Sequence, residues 1–175
     1  MLFRSGNPPF IGNKRMREAL GDGYAQALRA AWPEVPESAD FVMYWWAHAA
    51  ALVNAGAVRH MGLITTNSLT MIFNRRVVEA GLAGTGAGSA GSLILASLTK
   101  SAPNTAHPGA GAASLVFAIP DHPWVDSANG AAVRIAMTVL AAGARDGELL
   151  TVAHETPGEH GEVDVTFSPK RGIIH

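Results

Sequence analysis

Pro8 and Pro9 constrain this chain more than any other pair of residues. Two prolines in succession cannot continue a helix and cannot donate to a sheet ladder. Asn7, which precedes Pro8, is pushed into an extended or turn conformation. Asn7-Pro8-Pro9-Phe10 is therefore a short, stiff loop. It lies between residues 2–5, which read as the end of a strand, and Ile11-Gly12-Asn13-Lys14-Arg15. It presents an amide at Asn7, carbonyls fixed by the proline rings, and an aromatic face at Phe10. That set suits a flat ring bearing an amino group.

The segments that follow alternate in period. Residues 14–20 and 23–31 predict two short helices broken at Gly21-Asp22-Gly23, with Lys14, Arg15, Arg17 and Arg29 just downstream of the loop. Residues 32–36 read as a connector. Ser38 is the expected N-cap of an apolar helix over Ala39 to Asn54, closed by Gly56. Met43, Trp46, Ala47 and Ala50 follow helical spacing, and Met43, Trp45 and Trp46 read as core. Arg59 to Thr66 predicts a buried parallel strand, after which Asn67 or Ser68 caps a helix over 69–80. Strand, loop, helix, strand, helix is the rhythm of a doubly wound α/β sheet.

Composition then shifts. Residues 81–113 are almost all Gly, Ala, Ser and Thr, and read as a flexible low-complexity insert. Beyond it, Ser114–Ile119 predicts a strand, Pro120-Asp121-His122-Pro123-Trp124 a rigid aromatic loop, and Ala131–Leu140 a second strand. Residues 149–154 and 162–167 predict a final strand pair around Thr156-Pro157-Gly158. Two motif matches carry little chemistry. Gly86 to Gly91 matches G-x-G-x-x-G but follows a helix end and lacks the acidic residue expected about 20 positions later. His154, Glu155 and His160 lack a metal-binding spacing, so no metal is expected.

The whole chain bounds the answer further. Its 175 residues, 48% of them hydrophobic, suffice for one ordinary core. The net charge of −1 gives no bulk signature of a nucleic-acid binder, although a local basic patch remains open. There is no cysteine, which excludes disulfides and thiolate metal sites. No signal peptide opens the chain and no apolar run reaches 18 residues, so a soluble, cytoplasmic protein without a membrane partner is expected.

Asn7-Pro8-Pro9-Phe10 resembles the catalytic signature of S-adenosylmethionine-dependent amino-methyltransferases, in particular adenine-N6 DNA methyltransferases. The run through Arg15, the segment Glu37 to Trp46, Ile64-Thr-Thr-Asn-Ser68 and Ala118 to Trp124 resemble the catalytic domain of the large methyltransferases of bacterial restriction–modification systems. The likeness covers residues 6–80 and about 114–140, with a weaker echo from Val163 to Gly172.

The resemblance implies a Rossmann-like α/β methyltransferase sheet, of which this chain holds the C-terminal portion. Residues 1–150 are expected to form a partial catalytic domain and 151–175 a β-rich tail. It implies that Asn7, through its side chain, and Pro8, through its carbonyl, orient the amine by accepting its two protons, with Pro9 in the same catalytic loop. Phe10, with Trp124, would stack on a flipped adenine, and Lys14 and Arg15 would meet phosphate. S-adenosyl-L-methionine is the implied methyl donor and DNA the implied partner. The Gly-rich cofactor loop lies upstream of this motif in the non-permuted family, so the missing N-terminal half of the domain is a further expected partner. Alternatives are the same chemistry on cytosine N4, RNA or a protein glutamine, and an inactive fragment that binds DNA or a partner.

Overall fold

A computed structural model of the chain describes residues 3–84, 112–125, 132–158 and 163–174. Most of the expected insert, the Gly86–Gly91 match and His160 lie outside the described residues.

The elements follow the order set by sequence. Strand β1 (Phe3–Gly6) runs into the double-proline loop, followed by a 3-10 turn over Asn13–Arg15, α1 (Met16–Leu20) and α2 (Asp22–Ala31). Gly21, at φ +83°, breaks α1 from α2, a conformation that favours glycine. After α3 (Val42–Asn54) come β2 (His60–Thr66), a 3-10 turn over Asn67–Thr70 and α4 (Ile72–Leu82). The chain continues through β3 (Ala113–Val125), β4 (Ala132–Ala142), β5 (Gly147–Pro157) and β6 (Val163–Gly172).

Among the described residues, six strands form one sheet in the order β1-β2-β4-β3-β5-β6. β1 and β2 are parallel, as are β3 and β5, whereas β4 runs antiparallel to both β2 and β3, and β6 antiparallel to β5. Strand β2 is thus parallel to one neighbour and antiparallel to the other. The fold class is the α/β, Rossmann-like class read from sequence, with a mixed sheet. The residues expected as a β-rich tail pair within this same sheet.

The core explains the registration. Met43, Trp46, Ala50 and Val53 of α3 and Val77 and Val78 of α4 form one buried cluster with Met61 and Leu63 of β2, Leu115 of β3, and Ala136 and Leu140 of β4. Burial of these side chains supplies the main driving force. The Trp46 indole N–H donates to Thr138 Oγ1 at 3.3 Å, so the polar edge of the ring is satisfied inside the core. Gly81 lets α4 approach α3: a Cβ there would lie 2.6 Å from Trp46 and 2.8 Å from Ala50.

Four local expectations change. The helix expected over Ala39 to Asn54 with Ser38 as its cap spans Val42–Asn54: its N-cap is Phe41, with no side-chain cap bond, and the preceding Asp40 carboxylate is drawn into bonds with Asn13 and Ser68. The α-helix expected over 69–80 spans Ile72–Leu82: residues 69 and 70 lie in the 3-10 turn, where Thr70 Oγ1 donates to Asn67 O at 3.0 Å, and Met71 is extended before α4. Residues 120–124 are not a loop but part of β3. Pro120 and Asp121 together face Ala136 in a bulge, where the missing proline N–H breaks no ladder bond. Trp45, expected in the core with Met43 and Trp46, is half-exposed beside Tyr24, Phe41 and His48, while the other two are fully buried.

Candidate functional site

Strand direction gathers the candidate residues at one edge. β1 and β2 end there, with Gly6 level with Leu63. β4 begins there, with Ile135 opposite Thr66. β3 ends there, with Trp124 opposite Val133. The Asn7–Phe10 loop, Thr66–Ser68, Asp121–Trp124 and Arg134 therefore share the carboxyl edge of the parallel strands, where ligands of α/β sheets bind.

The loop is rigid through its own backbone. Ile11 N–H donates to the Pro9 carbonyl at 3.2 Å, Arg15 N–H to Gly12 O at 3.0 Å, and Phe41 N–H to Ile11 O at 2.9 Å. Pro8 is buried, while Asn7, Pro9 and Phe10 are exposed. The Asn7 amide has no hydrogen-bond partner among the described residues. The Pro9 carbonyl accepts one hydrogen bond, from Ile11, and no partner is found for the Pro8 carbonyl among the described residues.

The Asp40 carboxylate ties this loop to the rest of the edge. Its Oδ1 accepts the Asn13 N–H at 3.0 Å. Its Oδ2 accepts Ser68 Oγ–H at 2.7 Å and Asn74 Nδ2–H at 2.9 Å. Asn74 completes the junction: its Oδ1 accepts the Asp40 N–H at 2.9 Å, and its Nδ2 also donates to Ser68 O at 2.9 Å. Asn74 is buried in α4, so an unpartnered amide there would be costly. Loop, α3 entry, end of β2 and α4 thus meet at one carboxylate.

A second junction begins one residue away. Asn67 Nδ2 donates to Asp121 Oδ1 at 3.2 Å. The same oxygen accepts Arg134 Nε–H, and the Arg134 guanidinium also reaches Glu155 Oε1 on β5 at 2.7 Å. The hydrogen bond from Arg134 holds the Asp121 carboxyl below the usual carboxylate range, against a desolvation that pushes it up. The separate hydrogen bond from Arg134 Nη2 lowers Glu155. The bulge at Pro120-Asp121 aims Asp121 at both donors and fixes the base of the Trp124 segment.

Phe10 and Trp124 are 40% and 45% exposed, so part of each side chain is open to solvent. They share the edge but not a contact among the described residues. Their parent strands stand three places apart, about 14 Å at the usual strand spacing. Lys14 and Arg15 are exposed in the turn next to Asn13, with no ion pair among the described residues.

Sequence reading named the motif but missed Asp40, Ser68 and Asn74 as its anchor. One signal was available: Asn74 falls three and four residues before Val77 and Val78, on the buried stripe of α4. A polar side chain there calls for a specific partner. No comparable signal marked Arg134 within an apolar strand.

No protein-family model and no curated protein matches the sequence. Among solved structures, the chain resembles the Type IIL restriction-modification enzyme MmeI in complex with DNA, with a TM-score of 0.57 and 19% sequence identity. That likeness covers 95% of this chain and 18% of the enzyme. The chain therefore has the Rossmann-like α/β fold of one portion of a restriction–modification enzyme.

Proposed function

We propose that this chain is the amine-holding portion of an S-adenosylmethionine-dependent methyltransferase acting on N6 of adenine in DNA. The observation that carries the reading is the pair of unspent acceptors at Asn7 Oδ1 and the Pro8 carbonyl, on a loop fixed by Phe41 and Asp40. The MmeI structure was solved with DNA, which supports DNA as the substrate here.

An exocyclic amine is a poor nucleophile because its lone pair is delocalised into the ring. Two neutral acceptors that take its two N–H bonds favour a tetrahedral nitrogen and free the lone pair. Orientation and charge placement accomplish this without a strong base. Phe10 stacks on the extruded ring, and Trp124 closes the far side once the base has left the duplex. Lys14 and Arg15 meet the flanking phosphates.

S-adenosylmethionine supplies the methyl group. The described residues do not fit a pocket for it. A ribose diol calls for a free carboxylate, and Asp40 and Asp121, the carboxylates flanking the loop, are already bonded to Asn13, Ser68, Asn74, Asn67 and Arg134. A separate cofactor-holding segment, the expected N-terminal half of the domain, is part of the proposal. β1 stands at the end of the sheet order, and its outer edge is the natural place for further strands to join.

The grip is testable without turnover. A labelled single strand carrying one adenine should bind more tightly than the same strand with N6,N6-dimethyladenine, which has no N–H to donate. Two neutral hydrogen bonds of about 1 kcal/mol each predict a preference of roughly 10- to 30-fold. Asn7→Ala should remove about fivefold of it. Equal binding of the two strands by the wild-type chain would refute the grip.

A further inference from the structure

Three consecutive apolar side chains stand exposed beside the loop. Met71, Ile72 and Phe73 are 65%, 70% and 46% exposed. Contiguous exposed apolar runs of this kind are uncommon on soluble surfaces and mark contact sites. Nor are they on a slack segment: Met71 N–H donates to Ser68 O at 2.9 Å, and Arg75 N–H to Met71 O at 2.8 Å. The next residue, Asn74, is bonded to Asp40, the carboxylate that also holds Asn13. Phe73 and Lys14 are thus each one residue from a group on the same carboxylate.

Cations flank the apolar run on both sides. Lys14 and Arg15 lie on the loop side. On the helix side, the Arg76 guanidinium lies over the Phe73 ring at 5.7 Å, and Arg75 pairs with Glu79 at 2.7 Å. A protein–protein contact also has an apolar core and a polar rim, but the rim charges without an ion pair among the described residues, Lys14, Arg15 and Arg76, are all positive. A rim of one sign matches the way proteins enter a duplex, with phosphates bound at the rim and an apolar side chain pushed between base steps.

We propose that Met71, Ile72 and Phe73 form a wedge that enters the stack of duplex DNA next to the base held at Asn7–Phe10, while Lys14, Arg15 and Arg76 contact its phosphates. This rests on the amine-grip reading for the position of the base. It adds how the duplex is opened: the wedge occupies the space the extruded base leaves, offsetting the lost stacking.

The test uses the full chain and a short duplex with 2-aminopurine beside the central adenine, a base analogue that brightens when unstacked. Saturating wild-type chain should raise the fluorescence. Met71→Ser/Ile72→Ser, which alters only exposed side chains, should abolish the rise, weaken duplex affinity about tenfold, and leave single-strand affinity unchanged. Arg76→Gln should keep the rise at saturation but reduce the salt slope of binding by about 1. An unchanged rise in Met71→Ser/Ile72→Ser, or no rise with the wild type, overturns the wedge. So does a double variant that keeps its DNA behaviour but loses self-association in sedimentation, which would assign the patch to protein contact. Asn7→Ala separates the two readings: the fluorescence rise should survive in it, whatever becomes of the preference for an adenine amine.

Discussion

Replacing Asp40 by asparagine probes the junction that holds the Asn7–Phe10 loop, because shape is kept and only charge and one acceptor are lost. Asp40 accepts three hydrogen bonds, from Asn13 N–H, Ser68 Oγ–H and Asn74 Nδ2–H. Bonds to a charged acceptor contribute about 1.5–3 kcal/mol each. An asparagine oxygen in the Oδ1 position keeps Asn13, at the weaker neutral value. The amide nitrogen then replaces Oδ2 and faces two donors. Ser68 can turn its hydrogen toward Thr66 Oγ1 and accept from the new amide, since those two hydroxyls already touch. Asn74 cannot adapt, because its Oδ1 is committed to the Asp40 N–H and its Nδ2 to Ser68 O. One bond is lost outright and one weakened. Asp40 is half-buried, so the cost is about 2–3 kcal/mol, or roughly 5–10 °C in Tm for a chain of this size. Ser68→Ala removes one donor to that charge, together with the hydroxyl's bonds to Thr66 and Asn74, and should cost about 1.5–3 kcal/mol. Thermal unfolding by circular dichroism measures both. Amide hydrogen exchange locates the damage, with protection at Asn13 and Phe41 falling about tenfold or more before the core opens. A Tm within about 1 °C of wild type, with Asn13 protection unchanged, would refute the assignment of Asp40 as the tie.

Two further perturbations test the second junction and the sheet seam. The Asp121 and Glu155 carboxyls are held low by Arg134, so their contribution to stability is present above the ordinary carboxylate range and is lost as pH falls through their lowered values. Arg134→Met should raise both titrations toward ordinary values and flatten the acid limb of the stability profile, as followed by carboxyl carbon NMR; an unmoved Asp121 titration would contradict the pairing. Gly147→Ala places a Cβ 2.2 Å from the Leu115 carbonyl, at the short parallel seam where Phe117 meets Glu148. Backbone must shift there, so denaturant titration should show a loss of about 2–3 kcal/mol, and a variant as stable as wild type would mean that the seam yields freely.

What sequence reveals here is what local chemistry decides. Pro8 and Pro9 set the loop without help from the fold, and β2 and α3 announce themselves by apolar runs that only a core can bury. What it conceals depends on strands far apart in the chain. β4, whose own residues look much like those of a parallel strand, is inserted between β2 and β3 in the opposite direction. Only its pairing brings Arg134 level with Pro123 and within reach of Asp121 and Glu155. Residues 120–124 mislead for a related reason. Two prolines in five residues signal a loop, yet a bulge accommodates Pro120 inside a strand and turns the irregularity into the anchor of Trp124.

Asp40 and Asn74 are concealed for another reason, since neither occupies a position with a local role. Asp40 lies one residue before Phe41, the N-cap of α3, and Asn74 is the third residue of α4. Both helices begin with no side-chain cap bond. The two side chains spend their capacity on each other, on Ser68 and on Asn13. The junction gathers several hydrogen bonds around one carboxylate. It also couples the two faces of the proposed DNA contact. The segment carrying Met71–Phe73 and the loop carrying Asn7–Phe10 are registered through the same side chain, so movement of one displaces the other. A base extruded by the wedge would then arrive at an amine grip whose position the wedge itself helps to define.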